Sequence, residues 1–290
     1  MGSLLGVKLG CLVALALLPL LGGLLPATIL RLRGSLRTGL SESGQSIVTC
    51  MAGGVFLGAC LLDVMPDSLA DLRDEMSRRS LLSDFPMPEL ILALGFLLVL
   101  VMEHVILDCT EQHGDEASFP LLPRASHPEA NTSQCDLDTE APSPFRSLVL
   151  TVSLSLHSVF EGLAIGLQDT EAKVLQLAVA ILLHKTVIAL SLALLLLQSR
   201  LLFRWVAACL VTFALMCPLG MSVGMVMTHS PEAGSSAARS VLEGIAAGTF
   251  MYITFLEILP QELHTPASRL PKVLAVLLGF SGMAALRFLG

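Results

Sequence analysis

The sequence predicts an all-α, polytopic membrane protein with eight transmembrane helices, divided three and five by one long hydrophilic loop. Three observations carry that prediction. Of the 290 residues, 54% are apolar and only 14% charged, against roughly a quarter charged in a soluble domain. Mean hydropathy is +0.77. Apolar runs of about 20 residues, the length that crosses a bilayer as a helix, recur along the whole chain. The same numbers exclude a soluble enzyme and a disordered chain. With 17 Lys+Arg and a net charge of −7 there is no basic face for phosphate, and one Trp and one Tyr make no stacking platform. No nucleic-acid partner is expected.

The first span is Leu4–Leu30. Its apolar run is longer than a signal-peptide core and no small-residue cleavage site follows it, so it reads as a retained helix. Ser46–Ala70 and Met87–Leu107 are the second and third. Asp108 to Phe145 holds Pro120, Pro123, Pro128, Pro142 and Pro144 among Ser, Thr and acidic residues. Such a stretch cannot bury enough apolar area to offset its ordering entropy, so it reads as a mobile loop. Five more spans follow: Arg146–Gln168, Lys173–Gln198, Phe203–Thr228, Ser240–Leu263 and Pro271–Leu289. The organisation is thus 1–107 for three helices, 108–145 for the loop and 146–290 for five helices.

Orientation follows from Lys and Arg. Arg31, Arg33, Arg37, Arg124, Arg146, Arg200, Arg204, Arg269 and Lys272 lie on the side reached after odd-numbered spans. Lys8, Arg73, Arg78, Arg79, Lys173, Arg239 and Arg287 lie on the other. Nine against seven places both termini outside and the long loop in the cytosol, where the Asn131-Thr132-Ser133 sequon stays unmodified. Cys11, Cys50, Cys60, Cys209 and Cys217 fall within spans with no CxxC pair, so they read as small apolar side chains.

A charge deep in a bilayer costs from about 2.5 kcal/mol upward, so every such residue is a candidate for function. The candidates are Asp63, Asp67, Glu103, His157, Glu161, His184, Lys185, Glu243 and Glu257. His157 and Glu161, four apart in the fourth span, share a helix face one turn apart. A structural hydrogen-bonded pair is the alternative, but in lipid a glutamate with only a neutral imidazole is expensive. A divalent cation removes that cost, and imidazole nitrogen and carboxylate oxygen both ligate Zn²⁺ at about 2 Å. His184 in the fifth span completes a His, Glu, His set. Lys185 beside it has several readings: a fixed countercharge to Glu161, an amine deprotonated near a metal, a salt bridge, or a snorkelling side chain. Asp63 and Asp67, four apart around Pro66, either draw cations to a pathway mouth or form a solvated helix end. Gly54/Gly58, Gly162/Gly166 and Gly244/Gly248 permit close helix approach. Pro66, Pro218 and Pro260 free backbone carbonyls in or near spans.

His157-Ser-Val-Phe-Glu161-Gly162-Leu-Ala-Ile-Gly166 resembles the fourth-span signature of the ZIP (Zrt/Irt-like) zinc transporters, and His184-Lys185 their fifth-span motif. Ala52-Gly-Gly-Val-Phe-Leu-Gly58 and the stretch from Glu243 through Glu257 and Pro260 to Glu262 are similar to the vertebrate plasma-membrane subgroup. The resemblance covers nearly the whole chain. It implies a ZIP-like fold of eight spans, extracellular termini, a midplane metal site between the fourth and fifth spans, and Zn²⁺ movement into the cytosol. The chain departs from the family in places. Its third loop has only His113 and His127 where many members have a histidine-rich loop. Where two-metal members carry an amide and a carboxylate, this chain carries Ser158 and Lys185, which points to one metal with lysine replacing the second charge.

The expected function is therefore Zn²⁺ uptake by an integral, multi-pass protein of the plasma membrane, with internal membranes such as the endoplasmic reticulum still compatible. His157, Glu161 and His184 are the expected ligands. Ser158 and Lys185 lie beside them, and Asp63 and Asp67 on the approach. Zinc is cargo, and no prosthetic group is expected. Cd²⁺ and other divalent ions remain open as cargo, and so does a homodimer. An intramembrane zinc hydrolase is the alternative, but it lacks a nucleophile motif or HExxH. A receptor or scaffold with a structural metal is the third reading, and negligible extramembrane domains argue against it.

Overall fold

A computed structural model describes residues 2–34, 42–78, 85–111, 144–199, 201–228, 236–260 and 269–289. All regular structure among them is helical: α1 (Gly2–Gly34), α2 (Glu42–Gly58), α3 (Met65–Arg78), α4 (Met87–Glu111), α5 (Pro144–Gly166), α6 (Glu171–Gln198), α7 (Phe203–Met227), α8 (Ser236–Tyr252) and α9 (Arg269–Leu289). Eight stretches are long and apolar enough to span a membrane, as the hydropathy predicts. The second is longer than expected. It continues from Ser46 to Arg78, because Asp71, Arg73 and Asp74 face outward on α3 while Leu72 stays buried. The predicted loop is shorter at both ends, since α4 runs on to Glu111 and α5 starts at Pro144. Its remainder, the sequon included, lies outside the described residues.

Two wide π turns interrupt the ladder. Ala59–Val64 joins α2 to α3, and Ile253–Ile258 continues α8. Each ends two residues before a proline, Pro66 or Pro260. Proline has no N–H to donate, and its ring collides with the carbonyl four residues back. The ladder avoids both problems by widening: the N–H of Met65 bonds Cys60 O and that of Leu259 bonds Thr254 O, five residues back in each case. Pro218, the third proline predicted to disturb a span, is taken up within α7.

The chain divides three and five, but the packing divides four and four. One group is α1, α5, α6 and α7, and the other is α2–α3, α4, α8 and α9. They meet along a seam where α5 lies against α8 and α2 against α6. Outward, α1 exposes Leu5, Leu9, Val13, Leu17, Leu21 and Leu25 at four-residue spacing, while Leu15 and Ala27 are wholly buried. An apolar stripe of that size is a lipid face.

Glycines set the closest crossings. Gly162 and Gly166 of α5 lie against the backbone of Cys217 and Met221 of α7; in return Gly220 and Gly224 lie against Val159 and Leu163. A Cβ at any of these would strike main chain rather than a movable side chain. The other two predicted pairs serve different partners. Gly54 and Gly58 face Val276 and Met283 of α9, and Gly248 faces Leu92 of α4. Each pair therefore builds the inside of one group, and none of the three closes the seam.

Candidate metal centre

The site lies on the seam. α5 places His157 and Glu161 one turn apart on its α8-facing side, and α6 brings His184 from midway along its length. His157 Nε2 is 3.0 Å and His184 Nε2 2.9 Å from the same carboxylate oxygen, Glu161 Oε1. One ligand atom from each residue lies within 4.8 Å of the others. The three are 1%, 6% and 1% exposed in chain order.

The ring protons show what the cluster lacks. His184 Nδ1 is 2.9 Å from Ala180 O. A carbonyl only accepts, so Nδ1 carries a proton, and in the neutral ring Nε2 is left with a lone pair. His157 Nδ1 lies 2.9 Å from Thr249 Oγ1 and 3.1 Å from Ala246 O. The Thr249 hydroxyl already donates to Ala246 O at 2.7 Å, so it too can only accept. With both rings neutral, both Nε2 atoms turn lone pairs toward a carboxylate oxygen that is itself all acceptor. His157 Nε2 is buried with no hydrogen-bond partner. Protonating a ring relieves one contact, whereas a divalent cation satisfies all three groups at once. Imidazole, imidazole and carboxylate also match the donor preference of zinc.

Sequence reasoning did not single out the α8 residues that complete this arrangement. Thr249 holds His157, and the ring of Phe250 stacks on His157 at 5.0 Å between centroids and lies 5.5 Å from His184. Both are uncharged residues in an apolar run. The signal that could have found them is the stretch from Glu243 to Glu262, whose resemblance to relatives extends through both.

Residues 5–287 match a family described as ZIP Zinc transporter. The chain belongs to the ZIP family. Zinc transporter ZIP1 of Danio rerio is 48% identical to it, with all of both chains covered. Zinc transporter ZIP2 of Mus musculus is 37% identical over 98% of each chain. Zinc transporter ZIP3 of Bos taurus is 32% identical over 100% of this chain and 99% of its own. These names describe transporters rather than enzymes, and a ZIP protein carries zinc as cargo with no prosthetic group implied.

Ser158 and Lys185, the residues expected beside the ligands, touch one another. Lys185 Nζ donates to Ser158 Oγ at 2.7 Å and sits 4.5 Å above the Phe213 ring. Lys185 is fully buried, so it does not snorkel. Asp63 and Asp67 are not drawn into the three-residue cluster. Arg287 of α9 spans them, 3.0 Å from Asp63 and 2.5 Å from Asp67. Neither is a free solvated helix end, since the helix runs on to Arg78.

Of the remaining candidates, Glu243 and Glu257 lie toward opposite ends of the seam, and Glu103 lies inside the second group beside Tyr252. At the first end, Gln168 donates to Glu243 at 2.9 Å, Ser68 to Glu243 O at 3.3 Å, and Arg239 pairs with Asp169. At the other, Arg146 lies 3.8 Å from Glu257. Tyr252 donates to Glu103 at 2.5 Å. The predicted cysteines are all buried, as small apolar residues should be.

Proposed function

We propose that this protein moves Zn²⁺ across the plasma membrane into the cytosol, through a single-ion site at mid-membrane depth held by His157, Glu161 and His184. The observation that carries this reading is the convergence of two imidazole Nε2 atoms on one buried carboxylate oxygen. A resident structural metal would have the same ligands. The site's place at the seam between two helix groups, with polar clusters at both ends, favours passage, because a transported ion needs a route in and out. Alternating access then comes from one helix group moving against the other. Asp63 and Asp67 serve the approach, with Arg287 displaced as a cation arrives. The site holds zinc as cargo, and the ligand set leaves other divalent ions such as Cd²⁺ able to compete.

The test is flux into liposomes containing the purified protein. Zn²⁺ enters with the natural chain, and entry disappears with His157→Ala. Equal flux from both overturns the site, and metal-dependent turnover of a lipid or peptide without flux would favour the hydrolase reading instead.

Lys185 gives this site a second property. Through Ser158, the residue next to His157, it sets a fixed positive charge close to where a dication binds. Like charges repel strongly in a poorly solvated interior, so the ion is held loosely enough to leave. Lys185→Met is expected to tighten zinc binding by roughly tenfold, about 1.4 kcal/mol, and to slow uptake at saturating zinc. Titration of purified protein and a saturation uptake curve check the two halves. Weaker binding in the variant would show that the lysine supports the site rather than opposing the ion.

A further inference from the structure

The ligands all lie in the first helix group, yet one of them is oriented by the second. His157 Nδ1 finds both of its acceptors across the seam on α8, Thr249 Oγ1 at 2.9 Å and Ala246 O at 3.1 Å. Thr249 is wholly buried, and its own proton is committed to Ala246 O. Oγ1 therefore meets the ring only as an acceptor. A threonine bonded back to its own helix has satisfied its hydroxyl locally and needs no histidine. The histidine, by contrast, needs an acceptor at Nδ1 if Nε2 is to remain unprotonated for an ion.

We propose that Thr249 is a positioning residue for the metal centre, fixing the tautomer and ring angle of His157 for as long as α8 stands beside α5 in the register seen here. The inference rests on His157, Glu161 and His184 being the ligands. A partner that donates nothing to the ion but orients a ligating imidazole typically changes metal affinity by about 10- to 100-fold when removed. Ala246 O stays as a second acceptor when the hydroxyl is lost, so the expected effect is at the lower end. Because Thr249 belongs to the group without ligands, sliding the groups by one helical turn, about 5.4 Å, takes the acceptor away from His157. The grip on the ion is then tied to the relative position of the two groups.

The test measures Zn²⁺ dissociation constants on the full-length purified protein, with the metal alone as probe. Thr249→Val keeps shape and removes the hydroxyl, and is expected to weaken binding about tenfold. Thr249→Ser restores the hydroxyl and is expected to bind within about twofold of the natural chain. In saturation uptake the Val variant should raise KM with little change in maximal rate. Should Thr249→Val fail to fold, Thr249→Ala against Thr249→Ser asks the same question. Natural affinity in Val, or Ser as weak as Val, overturns the proposal, since the hydroxyl would then be idle or only filling space. His157→Ala run in parallel separates the two levels. If it loses zinc while Thr249→Val does not, only the positioning role fails. If it binds normally, the ligand reading falls and the inference with it.

Discussion

Cells making Glu161→Gln at normal surface abundance will accumulate radioactive zinc at less than about one hundredth of the natural rate. Gln keeps the size and one oxygen of Glu161 but removes its charge. That carboxylate is the only anion of the three-residue cluster, and both histidines share its Oε1. Without it a dication deep in the bundle is left with neutral ligands and the repulsion of Lys185. Removing one partner from a buried charge pair costs about 3–5 kcal/mol, and each 1.4 kcal/mol is about a factor of ten. A hundredfold loss is the lower end of that range. The amide can also donate to one Nε2, which removes that lone pair from the ion. Uptake above a third of the natural rate would mean that Glu161 does not hold the cargo.

The second large effect is mechanical. Gly162→Leu is expected to lower stability by at least about 2 kcal/mol, within the range for overpacking a tight contact, and to abolish uptake. Its Cβ would meet the backbone of Cys217 and Met221, which cannot rotate away as a side chain can. α5 must back off from α7, and Glu161, the preceding residue, moves with it. Gly220→Leu attacks the same crossing from the other side, against Val159 and Leu163, and should behave alike. Gly282→Leu is the control, because nothing lies within 4 Å of a Cβ there. Melting in detergent and surface-normalised uptake should separate the first two from the third. Equal melting of all three would show that the α5–α7 crossing is looser than the structure has it.

Why the site was legible and much of its surroundings was not comes down to range. His157 and Glu161 sit on one helix, so the 3.6-residue period alone puts them together, and a buried His-Glu pair in an apolar span advertises itself by its cost. The spans were legible because crossing hydrocarbon demands length and greasiness of each segment separately. Hydropathy is blind to the way α3 continues past Ala70, since an amphipathic extension with Asp71 and Asp74 outside looks like the start of a loop. The pairing of Arg287 with Asp63 and Asp67 joins residues more than 200 positions apart, and no local pattern encodes it. Glycine spacing announced close crossings but not partners. Gly54 and Gly58 chose α9 and Gly248 chose α4 through shape, which exists only in the folded bundle. Thr249 was silent because its importance lies in a proton it cannot give.

A wide turn carries one residue more than the ladder around it requires. One residue of an α-helix is about 100° of rotation, so the spans containing Ala59–Val64 and Ile253–Ile258 are out of phase with themselves. Upstream of its turn, the second span shows Gly54 to α9; downstream it shows Ser68 and Leu72 to α8. The seventh likewise gives Gly248 to α4 before its turn and, within the turn itself, Glu257 to Arg146 of α5. A single span thereby serves two sets of neighbours. A lineage that lost either extra residue would gain a more regular coil while swinging half of a span away from its contacts, so each irregularity is locked in by everything built on the far side of it.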